Sequence, residues 1–310
     1  MRLIIALGGN ALLRRDERLT PENQRRNIKT AVESLAPLAG GHDLVVTHGN
    51  GPQVGLLALQ SAADKPDASY PLDILDAETE GMIGYLIEQE LINVLPSDRL
   101  CATLLTQIEV DPDDPVFRSP GKPIGPVYTK AEAERLAQER GWRIAKDGAH
   151  YRRVVASPLP RKILQIDIIR LLLDRGVVVI CAGGGGIPVV RDERGRLQGI
   201  EAVIDKDRAS ALLARELGAD VLMMLTDADA VYRDWGTPEA RALRVIPAVK
   251  ARQMAFAPGS MAPKIAAACE FAETTGGTAF IGQLRDAAAI LAGTAGTRIS
   301  PQIDGIREWD

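Results

Sequence analysis

Arg2-Leu3-Ile4-Ile5-Ala6-Leu7-Gly8-Gly9-Asn10 opens the chain, and this stretch decides the fold. Six residues without apolar/polar alternation read as a strand buried on both faces, which is the habit of parallel sheets. The glycine pair at its carboxyl end reads as a tight turn where the backbone approaches a ligand. Five more runs have the same character: 43–47, 100–106, 177–182, 220–225 and 278–282. Helical spacing lies between them. Ile28, Val32, Leu35 and Leu38 fall on one face of 21–38; Ile163, Ile166, Ile169 and Leu173 do so in 161–175. Ala209, Leu212, Leu213 and Leu217 do so in 207–217, and 260–275 begins with Ser260 as N-cap and Pro263 in the first turn. Strands alternating with helices predict βαβ units.

Residues 111–160 break the rhythm with clustered prolines, glycines and charges. They read as an irregular functional insertion containing one helix, near 129–141.

The bulk numbers exclude several classes. With 310 residues and a hydrophobic fraction of 46%, the chain supports one large α/β domain or two lobes around a cleft. A formal net charge of −4 argues against a nucleic-acid partner held by bulk charge. Aromatic content of 4% offers no evident base-stacking platform. Cys101, Cys181 and Cys269 are far apart and read as buried hydrophobes, without metal-type spacing. No apolar run approaches a membrane span and the N-terminus does not read as a signal peptide, so a soluble, cytoplasmic protein is expected.

Two further strand ends carry glycines: Thr47-His48-Gly49-Asn50-Gly51-Pro52 and Ala182-Gly183-Gly184-Gly185-Gly186-Ile187-Pro188. Three such turns on one sheet edge predict a concave anion site built of backbone N–H groups. The P-loop and dinucleotide fingerprints are both absent. His48 reads as structural, with a ring nitrogen bonding the backbone.

Lys206 and Lys264 each sit at the start of an expected helix, where a cation opposes the helix dipole. An anion such as a polyphosphate offsets that repulsion, and so does a neighbouring carboxylate; Lys206 has Asp205 and Asp207 beside it. Lys122, in the insertion, is a third candidate. Asp227 and Asp229, after the strand at 220–225, suit ribose hydroxyls, a hydrated metal ion or simple turn capping.

Taken in order, Ile5 to Leu12, Thr47 to Gly55, Lys122-Pro123-Ile124-Gly125-Pro126, Gly183 to Pro188, Ala202 to Asp207 and Leu225-Thr226-Asp227 resemble the carbamate kinases of the amino acid kinase superfamily. The resemblance covers Leu3 to about Thr297. It implies a three-layer αβα sandwich around a mainly parallel sheet of about eight strands, with a small protruding subdomain at about 111–160. It implies one domain over 1–310, with an acceptor lobe at about 1–175 and an ATP lobe at about 176–310.

Carried over by position, it places catalysis on Lys122, Lys206, Lys264, Asp207 and Asn10. Gly8, Gly9, Gly49, Asn50 and Gly51 would hold phosphate and acceptor, and Asp205, Asp227, Tyr232, Met261 and Lys264 the nucleotide. Mg2+ is expected on the ATP phosphates without direct protein ligands, and a homodimer is expected. The implied reaction is reversible phosphoryl transfer between ATP and carbamate, run toward ATP. Gly121, Ala156 and Ala262 depart from the family pattern, while the three lysines remain. The competing readings are a kinase of the same superfamily with another small carboxylate or phosphate acceptor, and a sensor that binds without turnover.

Overall fold

A computed structural model of the chain describes residues 1–13, 17–64, 70–257 and 260–310, without the side chains of residues 10, 11, 62 and 64. Its main sheet has ten strands. Nine run in the order Val231–Arg233, Arg241–Pro247, Thr297–Ser300, Thr278–Gln283, Val221–Thr226, Arg2–Leu7, Asp43–His48, Val178–Ile180, Cys101–Thr103. Arg307–Glu308 pairs with Arg241–Pro247. All six runs expected as strands are present, and they form one continuous parallel block from Thr278–Gln283 to Cys101–Thr103. The further strands come from the C-terminal part of the chain. Thr297–Ser300 pairs antiparallel to Thr278–Gln283 and turns the sheet's direction there.

The pleat divides each central strand between two cores. Ile4, Ala6, Val45, Val179, Leu222 and Met224 face one; Leu3, Ile5, Leu7, Leu44, Val46, Val178, Ile180, Met223 and Leu225 face the other. Helices Lys206–Leu217 and Met261–Thr275 cover the first face. Pro21–Ala39 and Leu72–Val94 cover the second, giving the αβα sandwich. Leu3, Ile4, Ile5 and Leu7 are wholly buried, and each such side chain contributes about 1.5–3 kcal/mol.

Helix limits follow local chemistry. The Thr20 side chain accepts a bond from Asn23 N, with Pro21 opening the first turn. Gly218 and Gly276 end their helices in the left-handed region. Ser260 stands at the N-cap position but makes no side-chain capping bond. The helix expected over 161–175 is shorter: Pro160–Ile163 is a strand, and the helix runs Ile166–Leu173.

The stretch 111–160 is more ordered than its composition suggests. Lys122–Tyr128, His150–Val155 and Ile144–Asp147 form a separate antiparallel sheet. Helix Lys130–Arg140 lies between its strands in sequence, opened by a reciprocal Thr129–Glu132 capping box. Pro123, Pro126 and the exposed charges hide these strands from a search for apolar runs.

This small sheet sits against helix Gly51–Asp64, and two glycines make the contact. A methyl group built on Gly55 would fall 1.8 Å from Gly125 Cα. Gly125 also has φ +72°, which side chains disfavour. A Gly55→Ala chain is therefore expected to lose about 1–3 kcal/mol of stability. Hydrogen exchange should accelerate across 122–155 and stay unchanged in Arg2–Leu7; equal protection of 122–155 in both proteins would contradict this packing.

Candidate active site

The cavity lies at the carboxyl ends of the parallel strands, where ligands bind in such sheets. It has a volume of about 820 Å3. Gly8 and Gly9 follow the first strand, Thr226 ends the strand beside it and Asp227 follows; all four line the cavity. Gly8 is held by its N–H on Leu225 O at 2.8 Å, and a methyl group there would meet that same oxygen at 2.9 Å. The second glycine turn abuts the first: a Cβ on Gly49 would lie 3.5 Å from Gly9 N. Gly51 begins the helix that follows.

Asp207 organises the charge. Its Oδ1 accepts from Lys206 Nζ at 2.8 Å, and its Oδ2 accepts from Lys264 Nζ at 2.8 Å. One carboxylate thus clamps two ammonium groups from different helices, and all three side chains are nearly buried. Burial alone would raise the Asp207 pKa, but the two lysines outweigh it and hold the carboxyl below the usual range. Burial, opposed by Asp207, holds Lys206 below an ordinary lysine.

Asp205 joins the third lysine. Its Oδ1 caps the helix by accepting from Asp207 N at 3.1 Å and Arg208 N at 3.3 Å. Lys122 Nζ donates to Ile204 O at 2.9 Å and reaches Asp205 Oδ2 at 3.3 Å. The lysine expected from the insertion therefore meets the N-terminus of the helix that carries Lys206. Thr47 Oγ1 and Ser210 Oγ, 2.7 Å apart, tie that helix to the second strand.

Asp205, Asp207, Asp227, Tyr232, Met261 and Lys264 line the cavity. Lys122 and Lys206 join it through Asp205 and Asp207. Asn50 lies deeper, bonded to Asp76 and Thr79. The Asn10 side chain falls outside the described residues. Asp229 accepts from Tyr232 Oη at 3.0 Å, so this acid is engaged locally. Aromatic residues were underrated by composition: Tyr232 and Trp235 meet edge to face at 4.9 Å, and both line the cavity with Phe256.

The profile of the amino acid kinase family matches residues 1–283. A carbamate kinase of Haemophilus influenzae is 56% identical over 306 residues, covering 99% of both chains. The chain belongs to the carbamate kinases of the amino acid kinase family. A carbamate kinase of Pyrococcus furiosus is 41% identical, covering 97% of this chain and 99% of the relative. A carbamate kinase structure from Giardia lamblia, solved with AMP-PNP, superposes with a TM-score of 0.87 at 39% identity, covering 96% of this chain and 98% of the other.

In this carbamate kinase-type chain a polar cluster lies behind the glycine turns, and composition did not reveal it. Asp76, Thr79 and Glu80 are buried on helix Leu72–Val94. Their spacing among Leu72, Leu75 and Ile83 was the available signal: polar side chains on the face that enters the core. Glu80 accepts from Gly183 N at 2.8 Å and Thr106 N at 3.1 Å. The third glycine run is thereby engaged in packing. Gly185 N and Gly186 N are bonded to Ala182 O and Gly183 O, and a Cβ on Gly183 would strike the His48 ring at 2.3 Å.

Burial pushes Glu80 up to about 8 and His48 down to about 4. The native state holds an extra proton on Glu80 between its ordinary 4.5 and about 8, so this group lowers stability as pH rises through that window. His48 acts oppositely, adding stability as pH rises from about 4 to 6.5. Above 6.5 the Glu80 effect no longer meets that opposition. Urea midpoints of Glu80→Gln should therefore fall less between pH 6.5 and 8 than those of the unaltered chain. Parallel pH profiles for the two proteins would contradict the buried, proton-holding Glu80.

Proposed function

We propose that the chain is an ATP:carbamate phosphotransferase, and that the Asp207 clamp beside the Gly8-Gly9 turn is its phosphoryl-transfer site. The observation that carries this reading is the pair of ammonium groups fixed 2.8 Å from one buried carboxylate at the rim of a cavity of nucleotide size. The triphosphate would run from Gly8-Gly9 to Lys264, with the base against Tyr232, Trp235 and Phe256 and the ribose toward Asp227. The acceptor would lie at Gly49-Asn50-Gly51, with the Asn10 amide beside the transferred group. The lobe nearer the N-terminus would carry the acceptor, and the C-terminal lobe ATP.

Carbamate is anionic, so its oxygen attacks the γ-phosphorus without a general base. One P–O bond forms to carbamate and the β–γ bridging P–O bond breaks, leaving ADP and carbamoyl phosphate with no proton gained or lost. The chain's contribution is position and charge. Lys206 and Lys264 would face the developing negative charge on the transferred group and the bridging oxygen, and Lys122 would close the acceptor side. Asp207 would keep both ammonium groups aimed.

The carboxylates do not suit a dedicated metal cage. Asp205 and Asp207 are committed to amides and lysines, and no group of three metal-binding side chains occurs among the described residues. A divalent ion, Mg2+ in this proposal, would enter on the nucleotide and neutralise charge on its phosphate oxygens. The reverse direction, making ATP, is the proposed working direction, in the cytoplasm. Among the described residues no helix is long and apolar enough to cross a membrane.

Purified protein given carbamoyl phosphate and ADP should form ATP. Lys206→Ala and Lys264→Ala should each lower turnover about 100-fold or more with melting temperatures retained. ATP formation absent from the unaltered chain, or near-normal turnover in both variants, would remove the proposal.

A homodimer is proposed from helix Leu72–Val94. Ile74, Met82, Tyr85 and Ile92 are 41%, 37%, 53% and 60% exposed and share one helical face. Leu105, half exposed, adjoins that face beside Gly81. Sedimentation should give twice the 33.3 kDa chain mass, and Tyr85→Asp with Ile92→Asp should return it to the single-chain value. A single-chain mass for the unaltered protein would exclude the dimer.

A further inference from the structure

Asn50 is 2% exposed, and its amide is held in one orientation. Its Nδ2 donates to Asp76 Oδ1 at 2.9 Å and to Thr79 Oγ1 at 2.9 Å. The Thr79 hydroxyl hydrogen is itself engaged by Leu75 O at 2.9 Å or Asp76 O at 3.0 Å, so Thr79 can only accept from Asn50. A carboxyl oxygen of Asp76 accepts whichever protonation state the group is in. Both amide hydrogens are therefore taken, and flipping the amide would lose the bond to Thr79 and set the amide oxygen against that hydroxyl oxygen, whose hydrogen is already committed to the helix backbone. No donor among the described residues reaches Asn50 Oδ1.

Gly184 closes the other side. A Cβ there would fall 2.2 Å from Asn50 Nδ2 and 2.8 Å from Oδ1, and its φ of +70° already favours glycine. The amide is thus held between helix Leu72–Val94 and the third glycine run. Asp76 lies wholly inside this packing, and its Oδ2 makes no hydrogen bond. Burial drives its carboxyl well above the usual range, with the Asn50 bond and the Lys122 charge opposing this.

We propose that Asp76 and Thr79 are positioning residues for acceptor specificity: by taking both hydrogens of the Asn50 amide they present its oxygen to the substrate, which selects a donor-bearing N–H2 group. This rests on the functional reading above, in which the Gly49-Asn50-Gly51 turn holds the acceptor. The chemical consequence is sharp. Carbamoyl and acetyl phosphates share the acyl phosphate and differ in NH2 against CH3. Only the first can donate to Asn50 Oδ1; the second leaves a buried acceptor unpaired, the situation that gives the largest discrimination between near-isosteres.

The test uses the full chain and measures ATP formation from ADP with carbamoyl phosphate and with acetyl phosphate, the latter also as a competitive inhibitor if it is not turned over. Asp76→Ala and Thr79→Val each let the amide rotate. Each should lower kcat/KM for carbamoyl phosphate about tenfold or more, mainly through KM. Handling of acetyl phosphate and the KM for ADP should each change by less than about threefold. Asp76→Asn keeps an oxygen that can accept from Asn50 and should stay close to the unaltered preference. Equal losses for both acyl phosphates, or an unchanged preference in the two disrupting variants, would overturn the proposal. If Asp76→Ala fails to melt cooperatively, Thr79→Val, which keeps side-chain volume, decides alone. An unaltered chain that forms ATP from carbamoyl phosphate while the variants keep its preference sinks only this inference; one that forms none sinks the functional reading with it.

Discussion

A buried carboxylate shared by two buried ammonium groups is the interaction on which the rest of the site depends. Each of the three charges would be costly alone in the interior; losing Asp207 would leave two ammonium groups unpaired, a loss typically worth about 3–5 kcal/mol, whereas losing either lysine leaves a neutral pair. Together they form an arrangement with one net positive charge, carried by helices Lys206–Leu217 and Met261–Thr275 from the same face of the sheet. The excess charge has a direction, because the glycine turn at the end of the first strand shares its cavity with Asp207 and Lys264. The αβα sandwich serves this arrangement by fixing the axial position of both helices against strands whose side chains are fully buried.

Lys122 belongs to a different mechanical unit. It starts a strand of the small antiparallel sheet, and its contacts with Ile204 and Asp205 join that sheet to the larger body on the side of the clamp. The Gly55–Gly125 approach is a second junction on the same strand. Two junctions close together in sequence place one ammonium group with little help from the rest of 111–160, which explains how a segment so rich in proline and surface charge can carry a well-placed side chain.

Much of this was legible in the sequence. The six parallel strands announced themselves because burial on both faces demands uninterrupted apolar runs. The lysines at 206 and 264 stood out because a cation at a helix start needs an explanation; that Asp207 orients them was implied only by the family resemblance, since a contact across 57 residues has no local signature. The small sheet was missed because its strands are half exposed and interrupted by proline. The third glycine run was read as a ligand cradle on composition. Its close packing against His48, Asn50 and Ile204 shows another reason for glycine, the absence of room. Asp76, Thr79 and Glu80 were missed because a polar stripe on a long helix ordinarily faces water, and here it faces the back of the glycine turns. Trp235 and Phe256 escaped because a count of aromatics says nothing about where they gather.

Asp205 performs two tasks with one short side chain. One oxygen terminates a helix by receiving two backbone amides; the other receives the ammonium group of Lys122. Asparagine would keep the cap and surrender the charge. Glutamate would keep the charge on an arm too long to curl back onto the first turn. Substitution in either chemical direction, toward neutrality or toward length, therefore forfeits one of the two tasks, and the side chain acts as the hinge pin between the large body and the small sheet.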